Sequence, residues 1–216
     1  MILDFLNFIK NPIKLKKSKV NLKKIITCYL FFLVSYILIS FVSYSVISCL
    51  GINLEFNSLS ESTFNSNILI LAIISAPISE ELLFRAVLKP NRKTFALFAF
   101  SLFFLFLKLF ELTFFFKILL SILLSIFVYL LKFDISSYVY KNFNVIVYFS
   151  SFLFGLVHIF NFTLTYSIYI GCFLLILPKI YLGFILSYLR IKFGLFSNIF
   201  FHSLMNGVLI YLGTYD

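Results

Sequence analysis

From Ile25 to Leu50 the sequence runs for 26 residues without a charged side chain, and six further apolar runs follow it. At a rise of about 1.5 Å per residue, a helix of that length crosses a hydrocarbon core about 30 Å thick. The other runs are 68–88, 94–107, 112–131, 145–160, 164–189 and 194–213. Within lipid every backbone polar group must be satisfied internally, and separate runs of this kind achieve that as helices. The expected fold is therefore all-α: a polytopic transmembrane helix bundle of about seven spans. The run at 94–107 is short for a crossing and reads as tilted, re-entrant or a short span. A mean hydropathy of +1.08 with 12% charged residues excludes a water-soluble globule, because soluble domains average about a quarter charged.

The net charge of +10 would suggest nucleic acid in a soluble protein, but the positions of the cations point elsewhere. Lys10, Lys14, Lys16, Lys17, Lys19, Lys23 and Lys24 crowd just before the first run. That is the cytoplasmic flank of a span, and it also suits anionic lipid headgroups. No basic groove with interleaved aromatics is present, so nucleic-acid binding is not expected. Threading the seven runs with the N-terminus cytoplasmic puts 14 of the 18 Lys and Arg inside and two, Lys108 and Lys117, outside. This asymmetry fixes the expected orientation.

Residues 1–24, with Ile2, Leu3, Phe5, Leu6, Phe8 and Ile9 ahead of the lysines, read as a basic amphipathic cytoplasmic segment lying on the membrane. Residues 25–216 read as the bundle. Cys28, Cys49 and Cys172 all lie in apolar runs without CxxC spacing and read as small hydrophobes. The first run is too long for a signal-peptide core and is expected to stay as a helix. No internal repeat is evident, which weighs against an inverted-repeat transporter.

Charged side chains inside a span cost a few kcal/mol each by insertion scales and are functional suspects. The second run holds Glu80, Glu81 and Arg85. Glu81 and Arg85 are four residues apart on one helical face and can pair. Glu80 points about 100° away, free to face the bundle interior, and Pro77 is placed to kink the helix beside the acids. The chain has two histidines, and both are inside runs. His158 follows Gly155, a residue that lets helices approach closely. His202 shares a face with Asn206. A carboxylate base with imidazole and amide groups is the equipment of a hydrolase.

Glu80-Glu81-x-x-x-Arg85, then Phe154-x-x-x-His158, then His202-x-x-x-Asn206, in that order on separate helices, resembles the CPBP family. These are the CAAX-protease and bacteriocin-processing (Abi) intramembrane endopeptidases, which include the type II CAAX prenyl proteases. Ala76-Pro77 and Gly183 are also similar to family sequences, and the resemblance covers a core at 68–213. The 78 residues from Glu80 to His158 exceed the family's usual spacing by about the length of 94–131. That hairpin therefore reads as an insertion of two helices.

The resemblance implies an endopeptidase in which Glu80 activates a water. His202 and Asn206 would position it or stabilise the tetrahedral oxyanion, and His158 would orient it. Glu81 and Arg85 would hold the helix and tune Glu80. Glu80, His158 and His202 also form a His₂Glu set of the kind that binds catalytic zinc, so a Zn²⁺ cofactor stays open beside a metal-free mechanism. The partners implied are membrane lipids and a peptide or lipidated peptide substrate cut near the cytoplasmic leaflet. The excess of Phe, Ile, Lys and Asn suits an AT-rich bacterial genome, hence a multi-pass protein of a bacterial plasma membrane. Two other classes stay open: a proton-coupled transporter using Glu80, Glu81 and the histidines as a relay, and a non-catalytic scaffold or immunity protein of the same fold.

Overall fold

A computed structural model describes residues 2–13, 22–52, 69–107, 110–111, 113–131, 135–161 and 166–212. Lys14, Lys16, Lys17, Lys19, Lys108, Lys132 and most of the 51–67 connection lie outside the described residues. The described chain is an all-α bundle. It comprises α1 (Ile2–Lys10), α2 (Leu22–Cys49), α3 (Ala76–Phe84), α4 (Arg92–Leu107), α5 (Phe114–Leu130), α6 (Ser136–Lys141), α7 (Phe143–Val157), α8 (Tyr166–Phe193) and α9 (Leu195–Tyr211). Segments 23–49, 143–161 and 171–193 are long and apolar enough to cross a membrane, and α5 and α9 are apolar but shorter. The second apolar run is not one continuous helix. It breaks into a π-helical turn at Leu71–Ser75, then α3, then a 3₁₀ turn at Ala86–Leu88.

Helix α8 forms the centre, with α2 and α7 packed along it and α9 beside it. Glycines set the α7–α8 seam. A Cβ on Gly183 would stand 2.9 Å from the Ser151 backbone, and one on Gly155 would stand 2.9 Å from the Ile180 nitrogen. Where Gly155 and Gly183 lie, no side chain fits, so the two helices touch backbone to backbone. Ser151 and Ser187 lie 3.4 Å apart, hydroxyl to hydroxyl, on the same seam. Helix α2 stops at Gly51, whose φ of +68° suits glycine. The Gly51 and Ile52 amides there donate to the Ser48 and Ile47 carbonyls, as a Schellman ending requires.

Amphipathic α1 turns Phe5 and Phe8 into the bundle against Phe32 and Tyr188. Its other face leaves Leu3 and Leu6 exposed. Asp4 pairs with Lys192 at 3.2 Å, and the Tyr148 hydroxyl donates to the carbonyls of Ile9 and Lys10. Helices α4 and α5 pack as a hairpin, with the Ser125 hydroxyl donating to the Ala96 carbonyl at 3.0 Å. At the start of α4, Asn91 and Thr94 cap each other reciprocally through side chain and backbone amide.

Candidate active site

Pro77 shapes the approach to the paired acids. In the π-helical turn before α3, the Ala76 amide donates to the Leu71 carbonyl. The Ala72 carbonyl could then be met by the amide five residues on, but that residue is Pro77, which has no N–H. The Asn206 side chain fills the gap, its Nδ2 donating to the Ala72 carbonyl at 2.9 Å. Asn206 thereby ties α9 to the segment that carries Glu80 and Glu81.

Glu81 is wholly buried and accepts two hydrogen bonds from α9: one from Asn198 Nδ2 to its Oε2, one from His202 Nδ1 to its Oε1 at 3.0 Å. The expected Glu81–Arg85 pair is present but loose, with Arg85 Nε 3.9 Å from Oε2. Arg85, also wholly buried, is held by other contacts. Its guanidinium lies 4.1 Å over the Phe154 ring, and its Nη2 donates to the Gly183 carbonyl at 3.3 Å. Arg190 in turn donates to the Arg85 carbonyl, closing the end of α3 against α8.

Glu80 leaves α3 on a different face from Glu81, as its helical phase requires, reaches the far edge of the His202 ring and remains partly exposed. Its Oε2 is buried, has no hydrogen-bond partner among the described residues, and faces His202 Nε2 at 3.8 Å. A carboxylate only accepts, so the ring proton of a neutral His202 sits on Nδ1 against Glu81, and the lone pair on Nε2 faces Glu80.

His158 lies at the end of α7, where the chain tightens into the 3₁₀ turn His158–Asn161. Its Nδ1 meets the Phe154 carbonyl at 2.7 Å, which places the proton on Nδ1 and leaves Nε2 to accept. The Phe154 ring stands against both imidazoles, 4.8 Å from His158 and 5.8 Å from His202 by ring centroids. All six residues singled out from the sequence thus sit on α3, α7 and α9 or just past their ends, around Phe154 and the α3–α9 contact.

A family model described as type II CAAX prenyl endopeptidase Rce1-like matches residues 62–208. The chain belongs to the Rce1-like family. No curated protein and no solved structure matches it. The match takes in every residue named above in this site, from Leu71 to Asn206. Membership, with helices apolar enough to span, makes the chain an integral membrane protein of the CAAX endopeptidase class.

Glu80, His158 and His202 are the set read from the sequence as able to hold zinc. Among the described residues no three His, Cys, Asp or Glu side chains are grouped to hold an ion. Each imidazole donates its Nδ1 proton, to the Phe154 carbonyl or to Glu81, which leaves Nε2 as the atom of each ring that could meet an ion.

Two further buried polar residues of the candidate site were not singled out from the sequence. Asn198 is fully buried on α9, and the signal for it was its spacing: Asn198, His202 and Asn206 recur every fourth residue on an otherwise apolar helix. Lys179 is buried on α8 with its ammonium 5.9 Å from the Tyr36 ring centroid. It lies within electrostatic reach of Glu80 and His158. A charge buried that deep in a span was the signal for it.

Proposed function

We propose that the protein hydrolyses a peptide bond of a membrane-associated or lipidated peptide with a water activated by Glu80. The observation that carries this reading is the unpartnered Glu80 Oε2 facing His202 Nε2 at 3.8 Å. An oxygen bridging two atoms at that separation lies about 2.8 Å from each, within the reach a general base needs, and because Oε2 is buried the proposed water enters as the site opens. In the proposed reaction that water attacks the scissile carbonyl carbon and gives its proton to Glu80. Glu80 then returns the proton to the departing amine nitrogen as the C–N bond breaks. His202 orients the water through Nε2, because its Nδ1 proton is committed to Glu81. The second Nδ2 hydrogen of Asn206 serves the oxyanion, and His158 flanks the site from the Phe154 side. Glu81 and Arg85 hold the α3 end of the site.

We place the protein in a bacterial plasma membrane with its lysine-rich N-terminal segment cytoplasmic, and read residues 94–131 as a hairpin inserted into the 68–213 core. The test is cleavage of a quenched-fluorescence farnesylated CAAX peptide by the purified protein in proteoliposomes. Glu80→Gln should lower the rate by roughly 10²–10⁴-fold, the usual worth of a general base, while exhaustive chelation leaves it unchanged. Full cleavage by Glu80→Gln would end the glutamate mechanism. Loss on chelation with recovery on zinc would replace it by a metal one.

A further inference from the structure

The Glu81–His202 contact has its own support. Rotation of a glutamate carboxylate about its last torsion is broad and two-fold, so nothing intrinsic to Glu81 fixes which oxygen faces His202. Arg85 does not fix it, because Nε stands 3.9 Å from Oε2, outside hydrogen-bonding range, and its Nη2 is spent on the Gly183 carbonyl. Asn198 does. Its Nδ2 donates to Oε2, leaving Oε1 to accept from His202 Nδ1. Asn198 and His202 are one turn apart on α9, so the same helix face grips both oxygens of one carboxylate.

Asn198 is poorly suited to a purely packing role. It is fully buried, yet its Oδ1 has no hydrogen-bond partner among the described residues. An apolar side chain there would avoid that unsatisfied oxygen. What the amide offers in return is its donor, and that donor is aimed at Glu81.

We infer that Asn198 is a positioning residue that acts through Glu81 to hold the His202 ring with its proton on Nδ1 and Nε2 aimed at Glu80. The inference deepens the catalytic reading and rests on it for any effect on turnover. The state of the ring can be read without turnover. The chain's two histidines make ¹⁵N-histidine labelling simple: two rings, four nitrogens. His158, whose Nδ1 proton goes to the Phe154 carbonyl, is the internal reference.

The experiment is ¹⁵N NMR of the labelled protein in detergent micelles, at a pH where both rings are neutral. It compares the unaltered protein, Asn198→Asp, and the double variant Asn198→Asp with Glu81→Gln. Asn198→Asp removes the donor and sets two carboxylates together. The double variant restores the bond with donor and acceptor exchanged, and the glutamine oxygen still accepts from His202. In the unaltered protein both rings should carry the proton on Nδ1. In Asn198→Asp, His202 should show protonated Nε2 while His158 stays unchanged, and the double variant should recover the Nδ1 form. On the farnesylated peptide, kcat should fall roughly 10²-fold in the single variant with KM little changed.

An unaltered His202 signature in Asn198→Asp overturns the inference. So does a double variant no better than the single one, including where the single variant does not fold and the exchange fails to restore folding. Absence of cleavage by the unaltered protein, with the ring signatures as expected, would count against the catalytic reading alone.

Discussion

The Asn206 amide donates to the Ala72 carbonyl at 2.9 Å, and Pro77 is the reason that carbonyl needs a side-chain donor. Asn206→Ala would leave a buried carbonyl unpaired and should lower stability by about 1–3 kcal/mol. Adding Pro77→Ala supplies a backbone N–H at the position that lacked one. The double variant should therefore lose less than the sum of the two single changes. Unfolding in mixed detergent micelles checks this, and strict additivity would show that the two residues act independently.

Arg85 stacks on Phe154 and is the cation nearest to buried Glu81. Arg85→Met strands that carboxylate and should cost about 3–5 kcal/mol. Arg85→Lys should also destabilise, because an ammonium cannot lie flat on Phe154 while reaching the Gly183 carbonyl. Thermal unfolding of the purified variants measures both. A lysine variant as stable as the parent would mean that charge alone is sufficient.

At the α7–α8 seam, Gly183→Ala and Gly155→Ala each drive a methyl into backbone and should cost about 1–3 kcal/mol. Gly207 on α9 is the control, since a Cβ there meets nothing within 4 Å. Gly207→Ala should be neutral or stabilising by up to about 1 kcal/mol, because it removes a mid-helix glycine. Comparing midpoints across the three variants decides it: equal loss at all three would trace the effect to helix propensity and not to contact.

Cys49 is exposed at the end of α2, whereas Cys28 is buried near its start. With the N-terminal segment cytoplasmic, Cys49 faces outward. A version with Cys28→Ser and Cys172→Ser should be labelled in intact cells by a membrane-impermeant maleimide. Labelling that requires permeabilised cells would invert the orientation.

Much of the site was legible in the sequence because helical phase is a strong rule. Phase alone put Glu81 and Arg85 on one face and Glu80 off it, and paired His202 with Asn206. Gly155 was recognisable as a contact residue for a different reason, since a residue without a side chain lets helices approach closely. Phase does not report which helix a face meets. Hence the partner of Glu81 was read as Arg85, its sequence neighbour, whereas α9 supplies both of its hydrogen bonds. The broken second run was legible only in part: Pro77 announces a kink, but the π-helical turn depends on Asn206, 134 residues away, to satisfy the carbonyl left over. The 16-residue α4 shows a further limit, since hydropathy detects apolar length and not whether a helix crosses.

The ion pair between Asp4 and Lys192 joins residues 188 positions apart. During synthesis α1 emerges early, yet the surface that receives Phe5 and Phe8 includes Tyr188, near the end of α8. At about 5–20 residues per second, that surface is completed roughly 10–40 s after α1 leaves the ribosome. Through that interval the apolar side of the helix has Phe32 of α2 and the membrane surface, but not Tyr188, to pack against. Its docking is thus a closing step of assembly, a latch made first and shut last.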